Sequence, residues 1–180
     1  MKTRHNFNRS IRLDAICSQD GFRTQMGFIS FQDDKAISTN AYCLVVAKIS
    51  EISTFTDKEI EKLNGKFIHR ENFKRLIKED FVQIAEDGFL CISDGRKQLI
   101  YFSEVDKYPN WKPLFVETRC SLSKFGIDPK KLLELQSCLP YKKVKVEFGI
   151  NEKSAIFISD ISGEYESKGL IMPCLLTNEY

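Results

Sequence analysis

The chain has 180 residues, of which 42% are hydrophobic and 29% charged, with a formal net charge of +2. That is one large domain or two small ones, with enough apolar material for a sizeable core. The charge is too balanced to imply a polyanionic partner by itself, so any such partner must be recognised through where the bases sit. The basic residues Lys2 and Arg4 are not followed by an apolar segment, and the longest apolar run, Ala41 to Ala47, is far too short to span a bilayer. The expectation is a cytoplasmic protein with no membrane contact. Six cysteines, at 17, 43, 91, 120, 138 and 174, form no CxxC pair and mostly sit in apolar patterns, which reads as reduced core thiols. Asn8-Arg9-Ser10 fits a glycosylation acceptor but carries no weight without a secretion signal.

Along the chain the pattern repeats. A first unit, about 5–56, has a short helix within 9–18, carrying Arg9 and Arg12. Two or three strands follow over 27–49, with a hairpin turn at Gln32-Asp33-Asp34-Lys35. A second, about 64–113, opens on KFIHRENFKRLI from Lys66. As a helix from Arg70 to Asp80, it places Phe73, Leu76 and Ile77 on one arc. Arg70, Lys74 and Lys78 fall on another arc, with Arg75 at its margin; alternating strands fill 81–102. A third, about 118–176, repeats the opening as KFGIDPKKLLEL from Lys124. Asp128 is a good cap, Pro129 suits the first helical position and Pro140 ends the helix. Lys130 and Lys131 lie opposite Leu132, Leu135 and Leu139, and strands follow over 143–160 and in GLIMPCL. The predicted fold class is α+β, about three repeated helix-plus-antiparallel-strands units. The basic arcs read either as solvated outer faces or as one surface that binds phosphates without reading sequence.

Little in the sequence speaks for catalysis. His5 and His69 have no metal-ligand neighbours at useful spacing, and His69 reads as a cap or surface residue. No G-x-S-x-G, P-loop or G-x-G-x-x-G is present. Asp33-Asp34 and Glu79-Asp80 fall in turns or at a helix end, as solvated charges do. Tyr108 and Trp111 read as core braces rather than base-stacking platforms. The expectation is no enzyme, no catalytic residues, no cofactor and no metal.

Three stretches, in order, carry a resemblance. GFISFQDDKAISTNAYCLVVAKI (27–49) is similar to the middle-domain hairpin of the bacterial DNA polymerase III beta subunit, the sliding clamp. Thr39, Asn40, Ala41, Tyr42, Cys43 and Leu44 take the place of that family's Thr-Asp-Gly-His-Arg-Leu-like stretch. The run from Gly65 through Tyr108, Pro109 and Trp111 to Phe115 resembles the next clamp unit and its aromatic-Pro turn. GIDPKKLLELQSCLPYKKVKVEF through GLIMPCL resembles the last unit and its Met-Pro tail. The resemblance implies a clamp-like fold, with residues 1–113 as a two-unit domain and 114–180 as a further half-domain.

It also implies a function. Helix bases Arg9, Arg12, Arg70, Lys74, Arg75, Lys78, Lys130 and Lys131 would face double-stranded DNA. A hydrophobic pocket would take peptide motifs of polymerases and other replication or repair proteins. Carried over by motif, that pocket draws on Thr39, Tyr42, Leu44, Pro109, Leu114, Leu170, Ile171, Met172, Pro173 and Cys174. The chain departs from the family in several places. Ala41-Tyr42-Cys43 replaces Gly-His-Arg, Cys174 replaces a methionine and Leu175 an arginine, and three units stand where a clamp subunit has six. The odd unit's open sheet needs cover, within the chain or from a second copy in a homo-oligomer. The alternative is a clamp-fold interaction module that does not encircle DNA.

Overall fold

Cys43 to Ala47 are five consecutive buried residues. A strand hides every residue only when both of its faces are covered. That requirement organises the computed structural model, which describes residues 4–93, 95–115, 126–149 and 154–174. The first unit runs through α1 (Leu13–Ile16), β1 (Phe28–Gln32), β2 (Lys35–Thr39) and β3 (Cys43–Lys48), with a 3-10 helix at Gly21–Gly27. Two short helices, α2 (Ile49–Ile52) and α3 (Asp57–Glu61), lead into the second unit: β4 (Phe67–His69), α4 (Arg70–Leu76), β5 (Val82–Ile84), β6 (Gly88–Ser93) and β7 (Arg96–Tyr101). The third unit holds α5 (Pro129–Gln136), β8 (Val144–Phe148), β9 (Ile156–Asp160) and β10 (Lys168–Ile171).

The repeat expected from the sequence has a structural signature. In each unit a residue just ahead of the helix makes an antiparallel bridge to the chain just past the unit's last strand: Phe7 with Ser53, Phe67 with Ser103, Gly126 with Cys174. The helix caps are local chemistry. Asp128 accepts from the Lys130 N–H at 2.9 Å, with Pro129 at the first helical position. The His69 ring accepts from the Glu71 N–H, so His69 is the cap of α4. The α4 helix is shorter than its apolar periodicity suggests, but Phe73, Leu76 and Ile77 are buried as expected. Only Leu13–Ile16 of the segment 9–18 is helical.

The strands form a seven-stranded sheet, β4-β1-β2-β3-β10-β9-β8, and a three-stranded sheet, β5-β6-β7. The third unit therefore continues the sheet of the first, by antiparallel pairing of β10 with β3. Its seam is fastened by Glu51, whose carboxylate accepts from the Glu166 and Ser167 N–H groups and from the Ser167 hydroxyl. The main core lies on the helix side of the large sheet and extends to the small one. It joins Leu13 and Ile16 of α1, Phe73 and Leu76 of α4, and Leu135 of α5 to Ile29, Val45 and Ile171 of the sheet. A smaller cluster of Ile37, Leu44, Val46, Leu170 and Trp111 covers the opposite face. Five described cysteines are free; four are buried and Cys174 is exposed.

Two stability predictions follow from contacts at these joints. A Cβ added at Gly169 would stand 2.7 Å from Leu135 Cδ1 and 3.0 Å from its Cγ, and Leu135 is fully buried. Gly169→Ala is expected to cost about 1–3 kcal/mol of unfolding free energy in urea titration, and an unchanged midpoint would show that α5 is free to shift. The second concerns Glu59. Burial works against its charge, but hydrogen bonds from the Thr56 N–H, the His5 ring and the Thr56 hydroxyl outweigh it and pull the carboxyl from 4.5 down to about 2. A depressed carboxyl contributes stability above its unfolded value and loses it as pH falls from about 4.5 towards 2. Replacing it in Glu59→Gln should remove on the order of 2 kcal/mol of acid-dependent stability across that window. Identical acid limbs for the two proteins would contradict this.

Candidate functional site

The helices α1, α4 and α5 lie on one side of the large sheet, with α1 packed against both of the others. Phe73, Leu76 and Ile77 turn α4 towards the core, which leaves Lys74, Arg75 and Lys78 exposed. No described carboxylate forms an ion pair with these three or with the exposed Lys130. The arginines are differently placed. Arg9 binds Asp80 at 2.7 Å and the Lys78 carbonyl at 2.7 Å. Arg12 grips Asp14 through two bonds, at 2.9 and 2.6 Å. Arg70 pairs with Glu71 at 3.2 Å and is 23% exposed. Of the eight predicted cations, Lys74, Arg75, Lys78 and Lys130 are thus exposed and free of ion pairs with described carboxylates, Arg9, Arg12 and Arg70 already hold carboxylates, and Lys131 lies over the Tyr42 ring.

The opposite face carries a row of side chains that register places side by side. Thr39 of β2 faces Leu44 of β3, Leu44 faces Leu170 of β10, and Leu170 faces Phe157 of β9. One step along lies the row Ile37, Val46, Lys168 and Ser159. The segment 105–115 straps this face. The Tyr108 hydroxyl lies 3.2 Å from both the Phe28 and Ile37 carbonyls and donates its one proton between them; burial pushes that hydroxyl well above its ordinary pKa. The Trp111 indole donates to Gln32 at 2.9 Å. Phe115 packs on Trp111 and Phe157. Pro109 is half-buried within the strap, and Leu114 is 52% exposed.

The tail closes one end of the row. The Met172 N–H donates to the Tyr42 carbonyl at 2.9 Å, and the Cys174 N–H donates to the Gly126 carbonyl at 2.9 Å. Pro173 between them has no N–H to give. Ile171 is a correction. It is fully buried in the helix-side core, because successive strand residues point to opposite faces and Leu170 takes the outer one. Tyr42 is half exposed and its ring is held by cations, Lys131 at 4.7 Å and Arg23 at 5.2 Å. Ala41 adopts φ 72°, a left-handed conformation that favours glycine; it stands where the clamp-like motif has one.

Sequence reasoning passed over Arg23, Phe22 and Lys168. Phe22 is 98% exposed on the 3-10 helix, whose start is capped by Asp20. The polar Ser18-Gln19-Asp20-Gly21 turn around a single aromatic was the available signal. Among the described residues no group of three His, Cys, Asp or Glu is arranged to hold a metal ion. Burial pushes the Cys17 thiol up to about 12 and the Cys43 and Cys91 thiols up to about 11, so these remain protonated. No described helix is long and apolar enough to cross a membrane.

No family model and no curated protein matches the sequence. Solved structures do. The DNA polymerase sliding clamp of Bacillus subtilis superposes with a TM-score of 0.67 at 10% identity, over 97% of this chain and 64% of that one. The beta subunit of Thermotoga maritima gives 0.65 at 8% identity, over 94% and 63%. The Helicobacter pylori beta clamp bound to a DNA ligase peptide gives 0.66 at 12% identity, over 97% and 66%. The fold is that of the bacterial sliding clamps, and the chain spans a little under two thirds of the length of these subunits.

Proposed function

We propose that this three-unit, clamp-fold chain associates with double-stranded DNA through its helical layer and tethers a partner peptide on the outer face, as an accessory of the replication machinery. It acts without chemistry of its own. The observation that carries the reading is the common side taken by α1, α4 and α5, with Lys74, Arg75, Lys78 and Lys130 unpaired among the described residues. Cations projecting from rigid helices bind phosphates irrespective of sequence. Support for the tether comes from the Thr39–Leu44–Leu170 row beside the tail, and from the similarity to a clamp bound to a ligase peptide.

The test is duplex affinity measured across a salt series. A steep fall of affinity with rising salt, equal for unrelated sequences, is expected. Absence of salt-sensitive duplex binding would reject the DNA half. A second reading has its own observation: Arg9, Arg12 and Arg70 are already engaged by carboxylates, which suits an interaction module that keeps the fold and does not encircle DNA. Peptide binding without duplex binding would favour it. A second copy of the chain is a further candidate partner. Among the described strands β8 is the last of the large sheet, with Val146 exposed beside the Lys145–Glu147 pair.

A further inference from the structure

In two of the three units the first strand after the helix is covered by the neighbouring unit. In the first unit β1 pairs with β2 on one side and takes β4 of the second unit on the other. In the second, the chain entering β5 takes the start of the first: His5 bridges Phe81, and the Val82 N–H donates to the His5 carbonyl at 2.9 Å. The corresponding strand of the third unit is β8. It pairs with β9 along Val144–Phe148, and no described strand pairs on its other side. Val144, Val146 and Phe148 alternate onto one face, opposite Asp160, Ile158 and Ile156. Val144 and Phe148 pack on the helix-side core, whereas Val146 between them is 43% exposed. Lys145 and Glu147 take the outer face and pair with each other at 3.0 Å.

We infer that β8 is capped by β8 of a second copy of this chain, antiparallel, about a two-fold axis between the two Val146 residues. This deepens the self-association named above and stands apart from the duplex and tether readings. The run Val144-Lys145-Val146-Glu147-Phe148 is complementary to itself in that register. Val146 meets the partner's Val146, Lys145 meets the partner's Glu147, and Val144 meets the partner's Phe148. Lys143 falls against the partner's Gly149, so no like charges oppose each other within 143–149. Each Lys145 then lies between two carboxylates, its own Glu147 and the partner's Glu147. Directly opposed residues of an antiparallel pair attract or repel enough to choose a register. A shift of two residues either way would set Lys145 against Lys145, or Glu147 against Glu147, on the axis. A shift of one would turn the helix side of one copy to the outer side of the other. In the favoured register the axis stands perpendicular to the sheet, so both helical layers fall on one side and Val146 gains cover. The contact is isologous and closes on itself, joining two chains and no more.

Sedimentation velocity of the intact chain, from micromolar to millimolar concentration and without DNA or peptide, tests this. A monomer–dimer equilibrium that stops at two chains is expected. Lys145→Glu and Glu147→Lys, each alone, set like charges across the axis and should weaken dimerisation about tenfold. Mixing these two variants should produce a heterodimer, because opposite charges then face each other at both positions. The double variant K145E/E147K should dimerise about as tightly as the unaltered chain. Amide hydrogen exchange of the unaltered chain needs no variant, and protection over 144–148 should rise with concentration. A monomer throughout the range overturns the inference. So does assembly beyond two chains, a dimer that survives both single exchanges, a mixture that does not associate, or β8 protection that ignores concentration. Each of these leaves the duplex and tether readings standing. Should a variant not fold, the exchange measurement alone decides.

Discussion

Replacing Phe7 by alanine is expected to remove about 3–5 kcal/mol of stability, a large share of the roughly 5–15 kcal/mol that holds a domain together. Phe7 is fully buried, and its ring meets four others: Phe55 at 5.1 Å, Phe73 at 5.2 Å, Phe89 at 6.0 Å and Phe31 at 6.1 Å. Those rings come from the loop after α2, from α4, from β6 and from β1. One side chain therefore ties both sheets to a helix, and deleting it opens a cavity that no single neighbour can fill. The bridge between Phe7 and Ser53 fixes the backbone around it and limits collapse into the gap. Urea unfolding should show a much lower midpoint for Phe7→Ala with an unchanged slope. Phe22→Ala, at a ring that is 98% exposed, should move it by less than about 0.5 kcal/mol. Similar losses for the two would mean that the aromatic cluster is not the centre of the core.

The second large effect concerns binding. Changing Lys74, Arg75 and Lys78 together to glutamine should weaken duplex binding by about two to three orders of magnitude near 0.1 M salt. It should also flatten the logarithmic salt dependence by about 2.7, since each phosphate contact contributes about 0.9. The residues are exposed and unpaired among the described residues, so thermal unfolding should be nearly unchanged. The matching control is Arg12→Gln. Arg12 holds Asp14, which is buried, so this variant should lower stability more than it lowers DNA affinity. A triple variant with full affinity and an unaltered salt slope would remove α4 from the DNA-facing surface.

The legible part of this protein was local. The Asp128-Pro129 cap and the Phe73-Leu76-Ile77 arc each depend on residues a turn or two apart, and each stands as expected. So does the two-residue turn between Gln32 and Lys35, with Asp33 at positive φ. The Lys-Phe opening at 124–125 lies outside the described residues. The Ile171 assignment failed although the rule was within reach: adjacent residues of a strand cannot both face one groove. The helices α2 and α3 and the 3-10 segment Gly21–Gly27 were passed over because four to seven residues carry too little periodicity to stand out from a loop. The ion pairs that occupy Arg9 and Arg12 were also invisible, because helical spacing says where a cation sits and nothing about which carboxylate folds up beside it.

The sequence by itself determined that there are three helix-and-strands units, which residues of the second and third helices seek the core, and the resemblance that pointed to a clamp. Only the tertiary structure decided how the odd unit is completed: β10 pairs with β3, more than a hundred residues away, so the third unit borrows the first unit's sheet. The same pairing sets Leu170 beside Leu44 and Thr39 and brings Lys168 to one end of their row. Amphipathic periodicity comes from bonds between near neighbours, which a linear pattern records. Strand order is chosen by burial between distant segments, and a strand's own residues do not say which edge they will meet.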